Sequence, residues 1–532
     1  KWSNADLDAS PPAQRKWSAW YFFAFQFSIP LSPLTYNLGA SLVAIGLNWW
    51  TILIAAFVGT ILCSLLLLLN SRGSSIYHVG FPVYLRISAG FYGSLFFVVI
   101  RAAVAILYMG IQSYYASCLL AVALRCVFGH QWTDIENKLP ESASITSQGL
   151  LAFFVYWALQ LPFAWIHPSR AGPLFAVKAW IVPPCYIATM IWALYKASGF
   201  HFAGLHTANV SGTALGWSFM QAINLVVSGT VPSLVNIPDV ARYANRPRDT
   251  WPLTAGLFIS QPLVILIGLV TTSAGFQHFG HAKQTYWNIW DFNSAILDHY
   301  WNPTTRTLIF LSSFAQVYAT LATNVATNSI AAGSALAGLF PLYFTLRRGQ
   351  ILVSILAFLI VPWNLINTTT SSFAPNSFLA LFSATATCLL TPIAACMTAD
   401  YYLSRRANVH VPSLYRCDPS SPYYYVRGFN LRFYAAWTVG VVLSLPGLAG
   451  SIHPSISPSS SSSSSSASTH LFSLTFILSA TSSALTYTLL ATISPPRIYP
   501  PGRADESARR EHMRNFEGFF ADEVMPEYLR DQ

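Results

Sequence analysis

Between residues 316 and 328 the chain sets Gln316, Thr320, Thr323, Asn324, Thr327 and Asn328 into an otherwise apolar run, with LATNVATN at its centre. Amides and hydroxyls both donate and accept hydrogen bonds, so this set suits recognition of a small polar molecule rather than bond cleavage. At 100° per residue, Gln316, Thr320, Thr323, Asn324 and Thr327 share an arc of roughly 80–100°, with Asn328 at its edge. A polar stripe on a membrane-spanning helix faces a bundle interior or a wet cavity. Hydrogen bonding between helices accounts for one or two such residues. Five or six within four turns favour a lined site.

A second element offers a matching face. In RAAVAILYMGIQSYY, Tyr108 and Gln112 are four residues apart and share one side of a helix. An aromatic plane beside an amide suits a flat, hydrogen-bonding ligand. Arg101 precedes Gln112 by eleven residues, roughly 16 Å along a helix, which predicts a side chain snorkelling at the membrane interface. Asp239 and Asp400 fall at span ends, Asp291 and Asp298 lie in a loop, and no acid sits mid-span. Ion coupling is therefore expected to use backbone carbonyls, hydroxyls or a carboxylate nearer a gate.

Two spans carry breakers. FQFSIPLSPLTYN contains Pro30 and Pro33, and VVSGTVPSLVNIPD contains Gly229 and Pro232. Proline removes a backbone donor, and the freed groups are tolerated only beside protein or a cavity. Interruptions at corresponding positions of two halves point to a midplane site in an inverted-repeat transporter.

The elements that must position these residues follow from composition. Of 532 residues, 54% are hydrophobic and 9% charged, where a soluble protein carries about a quarter charged residues. Apolar runs recur over 17–42, 49–70, 89–127, 149–166, 173–195, 214–236, 252–274, 304–332, 349–366, 376–399, 431–449 and 470–494. Each is about the length a spanning helix needs, so the expected fold is an all-α polytopic membrane protein with about 12 transmembrane helices. With the N-terminus inside, the inner loops hold Arg72, Arg86, Arg170, Arg242, Arg246, Arg248, Arg347, Arg348, Arg405, Arg406, Arg416 and Arg427. The other side holds Arg125, Lys138, Lys196, Lys283 and Arg306. That asymmetry sets the orientation and accounts for the net charge of +10 without a nucleic-acid partner. The sequons at Asn209 and Asn367 fall in loops expected outside. The seven cysteines have no metal-like spacing and read as apolar fillers. No signal-peptide pattern precedes the first apolar run.

Taken together, WSNADLDASPPAQRKW, YHVGFPVYLR, HPSRAGPLFAVKAWIVP, NIPDVARYA, ATNVATNSIAAG, LFPLYFTLRRG, PIAACMTADYYLSRR and YYYVRGFNLRFYAAW resemble, in this order and spacing, the nucleobase:cation symporter family 1. Within it they are most similar to the fungal uracil, uridine and allantoin permease branch. The resemblance implies two inverted five-helix repeats plus two accessory helices, alternating access, and symport of a small heterocycle with H⁺ or Na⁺, with no other cofactor. It implies a substrate site of Tyr108, Gln112, Gly229, Thr230 and Asn328, which the polar stripe extends to Asn324. Tyr108 stands where the family has a stacking Trp, and Thr230 where some members place a second Trp. It implies a cation site of the Ile29, Ser32 and Ala319 carbonyls with positions 322 and 323. Ala322 has no hydroxyl where Na⁺-dependent members have Ser, so only Thr323 keeps one, which favours H⁺. Ala335 replaces a common Asp, which removes a gate contact to Lys178 or another basic residue.

The organisation expected is a tail over 1–16, a transport core over 17–400, an inner loop over 401–430, accessory helices over 431–494 around a serine-rich outer loop, and a charged tail over 495–532. The expected setting is the plasma membrane with both termini cytoplasmic, and the C-terminal tail is a candidate dock for trafficking or ubiquitination machinery. A substrate-binding sensor derived from a transporter and a thiamine- or nucleoside-type permease are the alternatives. An enzyme is not expected, since neither HExxH nor GxSxG occurs.

Overall fold

The computed structural model describes residues 2–42, 45–199, 211–279, 286–366, 377–452 and 470–497. Asn209, Lys283, Asn367, the serine-rich stretch 456–468 and the charged tail 499–532 lie outside the described residues. Among those described, the chain is helical, and its β-pairing consists of two isolated bridges. In chain order the helices are α1 (Ala19–Ser28), α2 (Pro33–Leu42), α3 (Trp49–Tyr77), α4 (Phe81–Ala89), α5 (Gly93–Phe128) and α6 (Ser147–Ala164). Next come α7 (Gly172–Lys196), α8 (Thr213–Ser228), α9 (Val231–Ala241), α10 (Pro252–Phe279), α11 (Ile289–His299) and α12 (Pro303–Thr323). The last are α13 (Ile330–Leu339), α14 (Leu346–Leu359), α15 (Phe378–Ala399), α16 (Leu431–Ile452) and α17 (Thr475–Ile493).

Among the described residues, ten helical stretches are long and apolar enough to cross a membrane. Two expected spans fall outside that set for local reasons. The first is split by Pro30 and Pro33 into α1 and α2, ten residues each. The ninth, α14, stops after 14 residues just before Val361, which has φ 51° and precedes Pro362. Two short helices, α4 and α11, escape a reading based on apolar run length. Every residue of α4 is buried, so it belongs to the protein interior at one end of the bundle.

Backbone accounting explains both breaks. Pro30 and Pro33 have no N–H, which leaves the Gln26 and Ile29 carbonyls without their helical donors. In the second break the Thr230 N–H turns to Val227 O at 2.8 Å. The Val226 carbonyl, freed by that shift, is capped by Gln261 Nε2 of α10 at 2.9 Å. Pro238 likewise frees Leu234 O, which accepts from Asn70 Nδ2 at 2.5 Å. Buried carbonyls thus keep partners, as an apolar interior demands.

Helix α10 carries the broken first span directly on its backbone. A Cβ at Gly268 would stand 2.3 Å from Tyr36 O, and one at Gly39 would stand 2.4 Å from Ile265 O. Small residues at such contacts let helices approach until dispersion and weak hydrogen bonds hold them.

The N-terminal segment is woven into one end of the bundle, here termed the N-terminal face. Arg242 donates to Asp6 O at 2.7 Å and Ser10 Oγ at 2.6 Å. Asn4 Nδ2 donates to Phe344 O at 2.9 Å, and Tyr415 OH donates to Leu7 O at 3.1 Å. The polar composition of this segment reflects many specific partners rather than a solvated tail.

Substituting Gly268 by Val drives two methyl groups into the α2 backbone. We expect the variant to lose its monodisperse peak in fluorescence-detected size-exclusion chromatography, whereas Gly216→Val, at a position with nothing within 4 Å, keeps it.

Candidate functional site

The two breaks meet α5 and α12 around one narrow cavity of about 30 Å³. Ile29, Ser32, Leu34 and Thr35 line it from the first break, and Gly229, Pro232 and Ser233 from the second. Tyr108 and Gln112 of α5 and Thr323, Thr327 and Asn328 complete the wall. A cavity of that size holds about one water, too little for a heterocycle.

Most expected substrate residues converge here. Tyr108 is buried, its hydroxyl donates to Ser383 Oγ of α15 at 3.0 Å, and its ring lies 4.8 Å from that of Phe382. Gln112 is buried, and its Oε1 has no hydrogen-bond partner among the described residues. Thr230 lies one step aside. It lines a neighbouring cavity of about 20 Å³ and donates to Gln261 Oε1 at 3.1 Å.

Asn324 is placed differently from Asn328. Residues Asn324–Ser329 form a π-helix, whose wider turn breaks the 100° phase on which the polar stripe was drawn. The Asn324 amide nitrogen points away from the chamber, within 3.2 Å of Met109 O, 3.0 Å of Ser113 Oγ and 2.9 Å of Gln160 Oε1. Its Oδ1 accepts from Asn328 Nδ2 at 2.8 Å. Asn324 thus anchors the π turn to α5 and α6 and orients the amide that does line the chamber. The Thr327 carbonyl accepts from Asn236 Nδ2 of α9 at 2.7 Å.

Ile29, Ser32 and Thr323 of the expected cation site share the chamber wall, and Ala319 O accepts from Thr323 Oγ1 at 3.0 Å. Ala322 is fully buried and outside that wall. The residue that run-length reading did not assign here is Lys178. Its fully buried amine donates to Thr323 Oγ1 at 2.5 Å, with no carboxylate in ion-pair range among the described residues. The signal was present in LFAVKAWIVP, a single charge within an apolar run.

Arg101 does not snorkel. It is 1% exposed and forms an ion pair with Asp239 of α9 at 2.5 Å. It also donates to Ala331 O at 2.7 Å and Ser334 Oγ at 2.6 Å and lies over the Phe81 ring. Ser334 and the Phe81 N–H satisfy the remaining carboxylate sites at 2.7 Å and 2.9 Å. This layer joins α4, α5, α9 and α13 between the chamber and the N-terminal face. The Ser334 hydroxyl thus supplies a polar contact beside Ala335. Toward the opposite face, Asn37 of α2 donates to Asn288 Oδ1 at 3.0 Å. Among the described residues no group of three metal-ligating side chains occurs.

A bundle of membrane-crossing helices around a narrow polar chamber between two broken spans has the architecture of a small-molecule transporter. The chain belongs to the family described as permease for cytosine/purines, uracil, thiamine, allantoin, whose sequence profile matches residues 10–469. It is 29% identical to the allantoin permease of Saccharomyces cerevisiae over 456 residues, covering 84% of this chain and 70% of that protein. It is 30% identical to the uracil permease of the same yeast over 456 residues, with the same coverage. The fold is that of Mhp1, a nucleobase-cation-symport-1 family transporter, solved in a closed conformation with bromovinylhydantoin bound. The TM-score is 0.70 at 19% identity, over 93% of this chain and 97% of that one. The chain is accordingly a membrane transporter and not an enzyme.

Breaking the Arg101–Asp239 pair from one side leaves an uncompensated buried charge, a loss of about 3–5 kcal/mol. Asp239→Ala is expected to lower the melting temperature of detergent-purified protein strongly, and the double variant Arg101→Met/Asp239→Ala to recover part of that loss.

Proposed function

We propose that the chain takes up a nucleobase or related small heterocycle of the uracil, uridine and allantoin class by alternating access, coupled to H⁺ rather than Na⁺. The observation that carries the substrate reading is Gln112 Oε1, a buried acceptor without a partner among the described residues, in the wall of a chamber that also presents Asn328. Leaving such a group unsatisfied costs about 1–3 kcal/mol. A ring N–H placed against it removes that cost. Tyr108 offers a flat face for the same ring, and Asn328, held by Asn324, reads a second polar edge. The chamber must widen to admit a ring, which fits a closed state between two open ones.

The ion reading rests on Lys178. Sodium needs several oxygen ligands, and position 322 contributes none from its side chain. The hydroxyl of Thr323 already accepts from the Lys178 amine. A positive charge beside the remaining carbonyls repels a second cation in a low-dielectric interior. A proton carried by that amine takes the place of the metal ion. The arginine-rich loops support a plasma-membrane orientation with both termini cytoplasmic, and the two inverted five-helix repeats remain part of this reading.

Uptake of labelled uracil and allantoin in cells expressing the chain is expected to collapse with a protonophore and to survive replacement of Na⁺ by choline. Uptake that follows Na⁺ and ignores the protonophore would overturn the ion assignment. Asn328→Ala is expected to cut uptake more than tenfold with unchanged surface abundance, and Lys178→Met to abolish accumulation against a gradient. Normal uptake by Asn328→Ala would remove the chamber from the mechanism.

A further inference from the structure

The chamber has a neighbour. The second cavity, of about 20 Å³, shares Ile29, Leu34, Thr35 and Gly229 with the first. Those residues border both. Position 229 contributes no side chain to the partition, and a Cβ there would meet nothing closer than 3.8 Å. The far end of the second cavity is polar where its walls are not. Leu38 and Leu257 form the apolar sides, while Thr230 and Gln261 face each other inside.

The hydrogen-bond inventory of that pair fixes what it accepts. Thr230 spends its proton on Gln261 Oε1, and Gln261 spends one amide N–H on Val226 O. The Thr230 oxygen keeps acceptor capacity and Gln261 keeps one N–H. The lobe therefore offers one acceptor and one donor side by side, both buried. A substituent with an N–H and a C=O in the same arrangement, a ureido or carboxamide group, matches both.

We propose that the substrate site is bilobed. The ring sits against Tyr108, Gln112 and Asn328, and a ureido or carboxamide arm passes Gly229 to pair with Thr230 and Gln261. Gln261 is then a specificity-determining residue on α10, outside the two broken spans. The inference rests on the ring site of the preceding section and adds to it the class of substrate the site prefers. A bulky aromatic at position 230 would close the lobe, whereas Thr leaves it open. Sites that hydrogen-bond a polar substituent discriminate strongly against analogues lacking it, because the site's own groups are left unpaired.

Allantoin and hydantoin provide the test, since they share a ring and only allantoin carries a ureido arm. Thermal stabilisation of the purified full chain is titrated with each, and both compete against labelled allantoin in uptake. We expect the native chain to respond to allantoin at a concentration at least tenfold lower than hydantoin. Gln261→Leu and Thr230→Val should bring that ratio close to one, and Thr230→Trp should reverse it. Size-exclusion profiles identify any variant that fails to fold, and the remaining two then decide. A native chain that does not distinguish the ligands, or variants that leave the ratio unchanged, overturns the bilobed site. Asn328→Ala separates this from failure of the ring site. Loss of both ligands in that variant, with an unchanged ratio in Gln261→Leu, sinks the lobe alone. A native chain that answers to neither ligand yet takes up labelled uracil also sinks the lobe alone, whereas an Asn328→Ala variant that binds both normally sinks both readings.

Discussion

Every backbone N–H and C=O that leaves a helix inside an apolar bundle must find another partner, and that constraint organises this molecule. It shapes how the chain unwinds at Gly229–Pro232, where a neighbouring helix supplies an amide to the freed carbonyl. Gln261 and Asn70, polar residues in apolar helices, cap the carbonyls of Val226 and Leu234. The π turn at 324–329 follows the same rule, with Asn236 accepting the burden of Thr327 O. Unwinding creates the chamber, and the caps keep unwinding affordable. Some polar residues of the interior repair the backbone in this way, whereas Gln112 Oε1, in the chamber wall, has no partner among the described residues.

Charge is handled with the same economy. Arg101 and Asp239 are both buried and each has its hydrogen-bonding capacity largely filled by the other, by Ser334 and by main-chain groups. A pair of this kind contributes little net stability but is costly to separate. It ties four helices together on one side of the chamber. Lys178 is the contrasting case, a fully buried amine that donates to the Thr323 hydroxyl with no carboxylate in ion-pair range among the described residues.

Much of this was legible from residue types. Composition gave a helical membrane protein, and prolines marked the breaks because a missing N–H is a property of the residue itself. Tyr108, Gln112 and Asn328 were readable from their places on helices and from the family resemblance. What escaped depends on three dimensions. Arg101 seemed interfacial because helical rise gives depth but says nothing of Asp239, 138 residues away in sequence. Asn324 was grouped with the chamber because a uniform 3.6-residue period does not foresee a π turn. Gln261 stands beside Pro262 in a span that stays helical through that proline, and nothing in one dimension linked it to Thr230.

The woven N-terminal segment has a consequence for how the protein is made. Leu7 is synthesised well before its partner Tyr415, which lies 408 positions later. Asn4 waits for Phe344, 340 positions on. Until those residues have been synthesised the beginning of the chain has nowhere to dock, and Arg242 and Arg86 stand without the carbonyls they will hold. Docking of this segment is therefore a late event of assembly, and a misplaced helix anywhere between it and Tyr415 would leave it without its partners.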